Sequence, residues 1–309
     1  MIEQPIGSIN NRVLLIDGSG AVVSNKYVGA VMLATMVGVV LAAMSFFFIS
    51  GKSALPAAPA GQKWHEVYND NFSGSALDSS KWVTCYDWYS KQYNGCSNTG
   101  NNELEWYMPG QVSVHNGYAQ LTATPDPVMG LFGSYPHTYP YRSGMISTGR
   151  SDFNGAVKSS YTYGYFEARL KATPGQGLWP AFWLVPADHS WPPEIDIMEI
   201  VGSQPGDVLM TYHWGQASAP QKDYSTYSGL ADPTGWHTYA VNWQPGHIDW
   251  YIDGVLRKSV SSQNVPNKPM EIIANLAVGG KLPGNPDAST RFPATLDVDY
   301  IRVYQAAKL

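Results

Sequence analysis

The chain has 309 residues with 24 acidic and 19 basic side chains, a formal net charge of −5. It is long enough for one large domain plus an appendage. With no basic excess it offers no electrostatic footprint for nucleic acid. Aromatic residues are almost as frequent as charged ones, at 13% against 14%, and 30 glycines and 22 prolines accompany them. That mixture suits an all-β domain with many turns, and a surface rich in Trp and Tyr can lie against the C–H faces of uncharged sugars.

Val28 to Ile49 is an uncharged, mostly apolar run of 22 residues between Lys26 and Lys52. As a helix it would span ~33 Å, close to the ~30 Å of a bilayer core. A buried core helix is a poor fit, because the run has no polar face. A cleaved signal peptide competes, since Ala58-Pro59-Ala60 has the small-x-small form of a cleavage site. The run exceeds the usual length of a signal-peptide core, so an uncleaved anchor fits better. The expected organisation is a cytoplasmic tail over residues 1–26, a transmembrane anchor over 27–50 and a linker over 51–63. A globular domain follows over 64–309.

From Trp64 onward, short apolar runs alternate with Gly, Pro, Asn and Asp. Strands are expected at Val112–Val114, Ala119–Thr124, Gly164–Lys171, Ala181–Val185, Glu194–Val201, Leu209–Trp214, Thr238–Trp243, Asp249–Ile252, Glu271–Val278 and Thr295–Tyr304. Asp253-Gly254 between two such runs is a hairpin turn signal. No convincing amphipathic helix and no internal repeat interrupts the pattern, so one two-sheet sandwich is expected. Cys85 and Cys96 are the only cysteines. Two cysteines fall short of a zinc ligand set, and in an oxidising compartment a disulfide closing this loop is expected.

One run carries chemistry: Trp191-Pro192-Pro193-Glu194-Ile195-Asp196-Ile197-Met198-Glu199-Ile200-Val201. On a regular strand Glu194 and Asp196 share a face and Glu199 has the wrong parity. A one-residue bulge near Met198 restores it and sets three acids in a row. Like charges in a row raise at least one pKa, which supplies one carboxylate for attack and one carboxylic acid for proton donation. Trp179 and Trp183 flank Pro180-Ala181-Phe182 and share one strand face.

Glu-Ile-Asp-Ile-Met-Glu resembles the Glu-x-Asp-x-x-Glu signature of glycoside hydrolase family 16 in its bulged, laminarinase form. Further segments follow in the family's order. They are Asn101-Asn102-Glu103-Leu104-Glu105, Tyr163 to Arg169, Gly177 to Trp183, Tyr212-His213-Trp214, Trp236 to Tyr239 and Val298 to Tyr304. The resemblance implies a concanavalin-like jelly roll with a cleft on one sheet. It implies a retaining endo-β-glucanase on β-1,3 or mixed β-1,3-1,4 glucan. Glu194 would be the nucleophile, Glu199 the acid/base, Asp196 the residue orienting Glu194, and His213 a supporting neighbour. Trp179 and Trp183 would form the sugar platform, with Trp191 and Asn102 on the cleft rim. Hydrolysis or transglycosylation of another β-glycan, and a non-catalytic glucan-binding sandwich, stand as alternatives. Catalysis by this route needs no metal. A structural calcium on the convex side would use Asp299, although Asp70-Asn71-Phe72 lacks a second acid often found there. Met145 stands where laminarinases carry an arginine. Because a polysaccharide substrate and a disulfide both suit the cell exterior, the expected localisation is a single-pass membrane protein with an extracytoplasmic domain. Release after cleavage near Ala60 is the alternative. A monomer is expected.

Overall fold

The computed structural model describes residues 55–86 and 95–308. Eighteen strands run through them. The first eight are β1 (Gln62–Asp70), β2 (Glu105–Tyr107), β3 (Val112–His115), β4 (Tyr118–Ala123), β5 (Val128–Phe132), β6 (Tyr135–Tyr139), β7 (Tyr141–Ser143) and β8 (Met145–Ser147). Then come β9 (Gly164–Ala172), β10 (Leu178–Pro186), β11 (Glu194–Glu199), β12 (Asp207–Gln216) and β13 (Ala219–Ser228). The chain closes with β14 (His237–Gln244), β15 (His247–Ile252), β16 (Val255–Ser261), β17 (Met270–Val278) and β18 (Ala294–Lys308). Two short 3₁₀ turns, Thr99–Asn101 and Pro109–Gln111, are the only helical elements among the described residues.

These strands form a sandwich of antiparallel sheets. One has the order β16-β15-β14-β9-β18-β4-β3, with β1 added along the second half of β18. The other runs β13-β12-β11-β10-β17-β8. Alternation decides which side chains meet between them. β4 alternates half-buried and buried residues along its whole length, as a strand with one covered face must. Its Ala119, Leu121 and Ala123 join Phe166, Phe182, Leu184, Ile195, Trp243 and Trp250 in the core. β17 is buried at all nine positions. Ile272, Ala274 and Leu276 face this core, while Ile273 packs on the sheet's other side with Tyr86, Tyr107, Met145 and Trp183. The six-stranded sheet therefore has a floor of packed side chains on its outer face too. Asp253 and Gly254 both take positive φ, 51° and 74°, closing the β15–β16 hairpin as the Asp-Gly pair predicts.

All ten expected strands are present. β1 takes in Gln62 and Lys63, which the sequence reading gave to the linker; Trp64 Nε1 donates to Pro56 O at 2.8 Å, so contacts of this strand reach back to Pro56. β13 has no apolar alternation, because its side chains are almost all exposed. It is held by ten paired positions against β12, which composition does not register.

The single-pass membrane placement is corrected. No helix among the described residues is long and apolar enough to cross a membrane, and the expected anchor, residues 27–50, lies outside the described residues. A mostly apolar run by itself does not establish a spanning helix.

Candidate active site

β11 departs from strict alternation at one point. Ile195, Ile197, Met198 and Ile200 all face the core, so two consecutive residues, Ile197 and Met198, point the same way. The pairing shows the cause: Asp196 lies opposite Thr211 and Glu199 opposite Leu209, three steps on β11 against two on β12. The ladder to β10 slips at the same place. This bulge reverses parity, and Glu194, Asp196 and Glu199 all reach the outer face. They line one cleft of about 820 Å³.

Each acid is held by neighbours. Trp191 Nε1 donates to Glu194 Oε2 at 2.9 Å, and Trp179 Nε1 donates to Glu199 Oε1 at 3.0 Å. His213, directly opposite Glu194 on β12, places Nε2 3.2 Å from Asp196 Oδ2 and 3.5 Å from Glu194 Oε1. Asp196 hydrogen-bonds Glu194, and Thr211 bonds Glu199. All three carboxyls titrate above their ordinary range, with burial the largest cause in each. In Glu194 the charge of Asp196 adds to burial, and His213 opposes it. In Asp196 the charge of Glu199 adds. In Glu199 the Trp179 indole opposes burial most strongly. Three acids this close oppose one another's ionisation, which holds their protons more tightly than in isolated carboxyls. Asp196 has the least water to solvate a charge, with its side chain 5% exposed against 18% for Glu194.

The model for glycosyl hydrolases family 16 matches residues 101–302. The chain belongs to this family. Among curated relatives, an endo-1,3-1,4-beta-glycanase (EglC) from Rhizobium meliloti is 33% identical over 251 residues, covering 77% of this chain and 51% of its own. The chain thus spans about half the length of the curated relatives it matches. Among solved structures, an endo-beta-1,3-glucanase from Pyrococcus furiosus is 32% identical with a TM-score of 0.69, covering 82% of this chain and 100% of that one. The catalytic domain of an endo-1,3-beta-glucanase (laminarinase) from Thermotoga petrophila is 30% identical with a TM-score of 0.68, covering 79% and 98%.

Not every residue expected from the family pattern reaches the cleft in the same way. Trp191 is 41% exposed on the rim. Trp183 is a cleft-lining side chain but only 7% exposed: it donates Nε1 to Asn275 Oδ1 at 2.8 Å and packs against Tyr86. It forms floor more than platform, because Tyr86 packs against it. Asn102 is exposed and caps the first 3₁₀ turn in a left-handed conformation, φ 59°. Its neighbours Asn98, Asn101 and Glu103 line the cleft. Met145 is fully buried beneath the floor and offers nothing to a ligand. Cys85 and Cys96 form a disulfide, flanked by the cleft residues Tyr86 and Asn98.

Asp299, the expected calcium ligand, has a cationic side chain beside it. Arg169 Nη1 lies 2.6 Å from Asp299 Oδ2, so a guanidinium already neutralises that carboxylate. Asp70 is likewise committed, accepting from Trp82 Nε1 at 2.8 Å and from Phe72 N at 3.0 Å.

Sequence reasoning missed Lys222 and Tyr224 of β13, which extend the cleft past His213, with the lysine Nζ 5.0 Å from the Tyr224 ring. The only signal for them was an aromatic shortly after the Ala217-Ser218 turn. It also missed the buried pair Glu103 and Glu105, whose Asn-Glu-x-Glu spacing was visible but read only as a family marker.

Proposed function

We propose that the protein is a retaining endo-β-glucanase acting on β-1,3 or mixed β-1,3-1,4 glucan. The observation that carries this reading is the bulge in β11, which gathers Glu194 and Glu199 on one cleft face with Asp196 between them. Relatives named for the same two linkages support the choice of substrate.

In this reading Asp196 is hydrogen-bonded to Glu194 and fixes its orientation, and the Trp191 N–H stabilises the Glu194 carboxylate. Glu194 attacks the anomeric carbon and forms the glycosyl–enzyme bond. Glu199, whose pKa burial raises, gives its proton to the leaving glycosidic oxygen. It then takes a proton from the water that releases the sugar. His213 braces Glu194 and Asp196 from the next strand. Trp179 both bonds Glu199 and offers a ring to the sugar.

The test is release of new reducing ends from laminarin and lichenan by the full chain. Turnover is expected on at least one polymer, with retention of anomeric configuration in the first product seen by NMR. Glu194→Gln is expected to lose at least about 10³-fold in kcat with its fold intact. Undiminished turnover in that variant, or an inverted product, overturns the mechanism.

A further inference from the structure

The bulge in β11 breaks two ladders, so carbonyls beside it need donors from elsewhere. Two come from the opposite sheet. Trp250 of β15 donates Nε1 to the Asp196 carbonyl at 2.9 Å. Lys258 of β16 donates Nζ to the Met210 carbonyl at 2.9 Å. Met210 sits on β12 between Leu209 and Thr211, the partners of Glu199 and Asp196, and so lies directly opposite the bulge.

The two donors are a matched pair. Trp250 and Lys258 face each other across the β15–β16 ladder, and Lys258 Nζ lies 4.7 Å from the Trp250 ring centroid. Trp250 is fully buried and Lys258 only 8% exposed. An ammonium so enclosed is costly unless its donors are used. Here they go to Met210 O, to Asp223 O at 2.7 Å and to Asp223 Oδ1 at 3.0 Å. The β15–β16 ladder also slips next to this pair, between Trp250 and Tyr251. One irregularity is thus seated against another.

The geometry points to Trp250 and Lys258 as positioning residues that hold the β11 bulge, and through it the placement of Glu199 relative to Glu194. Neither touches the cleft, and neither belongs to the lining. They act on the reaction through the backbone of β11 and β12, and Lys258 also through its charge, which favours the ionised form of Asp196. This rests on the glucanase reading above.

The control is built into the fold. Trp243 is also fully buried, and its Nε1 donates to the Pro266 carbonyl at 3.0 Å, in the connection between β16 and β17 and not in β11 or β12. Trp250→Phe and Trp243→Phe therefore delete the same kind of bond from the same kind of site. In the full chain, Trp250→Phe is expected to lower kcat on laminarin about tenfold to a hundredfold while KM stays within about twofold, because a small misplacement of reacting groups costs rate more than binding. Trp243→Phe should lose comparable thermal stability with kcat near that of the parent. Lys258→Met should resemble Trp250→Phe, and Lys258→Arg, which keeps donors and charge, should recover part of the rate. Equal kcat in Trp250→Phe and Trp243→Phe overturns the inference; if Trp250→Phe does not fold, equal kcat in Lys258→Met and the parent overturns it. Amide exchange at Ile197, Met198 and Glu199 gives a readout independent of turnover. It should accelerate in Trp250→Phe or Lys258→Met but not in Trp243→Phe, and no acceleration sinks the inference even if the parent proves inactive on glucans. Absence of turnover in the parent sinks the glucanase reading alone.

Discussion

Trp179 donates its indole N–H to Glu199 Oε1 at 3.0 Å, reaching diagonally from β10 to β11, where Glu199 pairs with Ala181. The bond favours the ionised carboxylate and opposes the upward push of burial. Trp179→Phe keeps the ring and removes the donor, so the pKa of Glu199 should rise. With Glu199 as the general acid, the high-pH limb of the kcat/KM profile should move to higher pH. A profile superimposable on the parent's would contradict that role for Glu199.

Glu194, Asp196 and Glu199 repel one another in a site with little water. Glu194→Gln should relieve part of that repulsion and stabilise the fold at pH 7 by about 1 kcal/mol, a rise of roughly 2–4 °C in Tm for a domain of this size. The gain should vanish near pH 3, where the acids are protonated in both proteins. Parallel melts at the two pH values check this.

Glu103 is pushed up to about 7 from 4.5, chiefly by burial, and it bonds the still more enclosed Glu105. Glu103 Oε2 and Glu105 Oε1 lack other donors, as two carboxyls sharing a proton would leave them. With a raised folded pKa, the native state holds a proton that the unfolded chain has lost. Stability from this group is present below about pH 4.5 and drains away as pH rises toward about 7, by on the order of 3 kcal/mol. Glu103→Gln should flatten that slope between pH 4.5 and 7 in urea titrations.

Trp183 and Trp191 should respond oppositely to truncation. Trp183→Ala opens a hole under the cleft and should cost about 3–5 kcal/mol of stability. Trp191→Ala removes a rim side chain and the donor to Glu194. It should leave Tm within about 2 °C while lowering turnover. Thermal melts with initial rates on one glucan separate the two.

Much of the site was legible because β-strand parity is local. Two adjacent apolar residues, Ile197 and Met198, inside an alternating acidic run already imply a bulge, and the bulge implies three acids on one face. The ten expected strands were legible for the same reason, since alternation and turn residues act within a few positions. β13 was not, because an exposed edge strand needs no apolar code. The apolar run at residues 27–50 warns of the converse, for local hydropathy does not by itself decide a membrane span.

What the sequence by itself determined is the family, the sandwich and the order of acids along one strand, all consequences of short-range periodicity. Only the tertiary structure decided which neighbours each acid meets. Trp179 and Trp183 share one strand face, yet one bonds Glu199 and the other packs against Tyr86. Asp299 meets Arg169. Lys258 turns inward to the carbonyl opposite the bulge. Those outcomes depend on residues brought from distant parts of the chain, and burial and charge act through space, which no local pattern encodes.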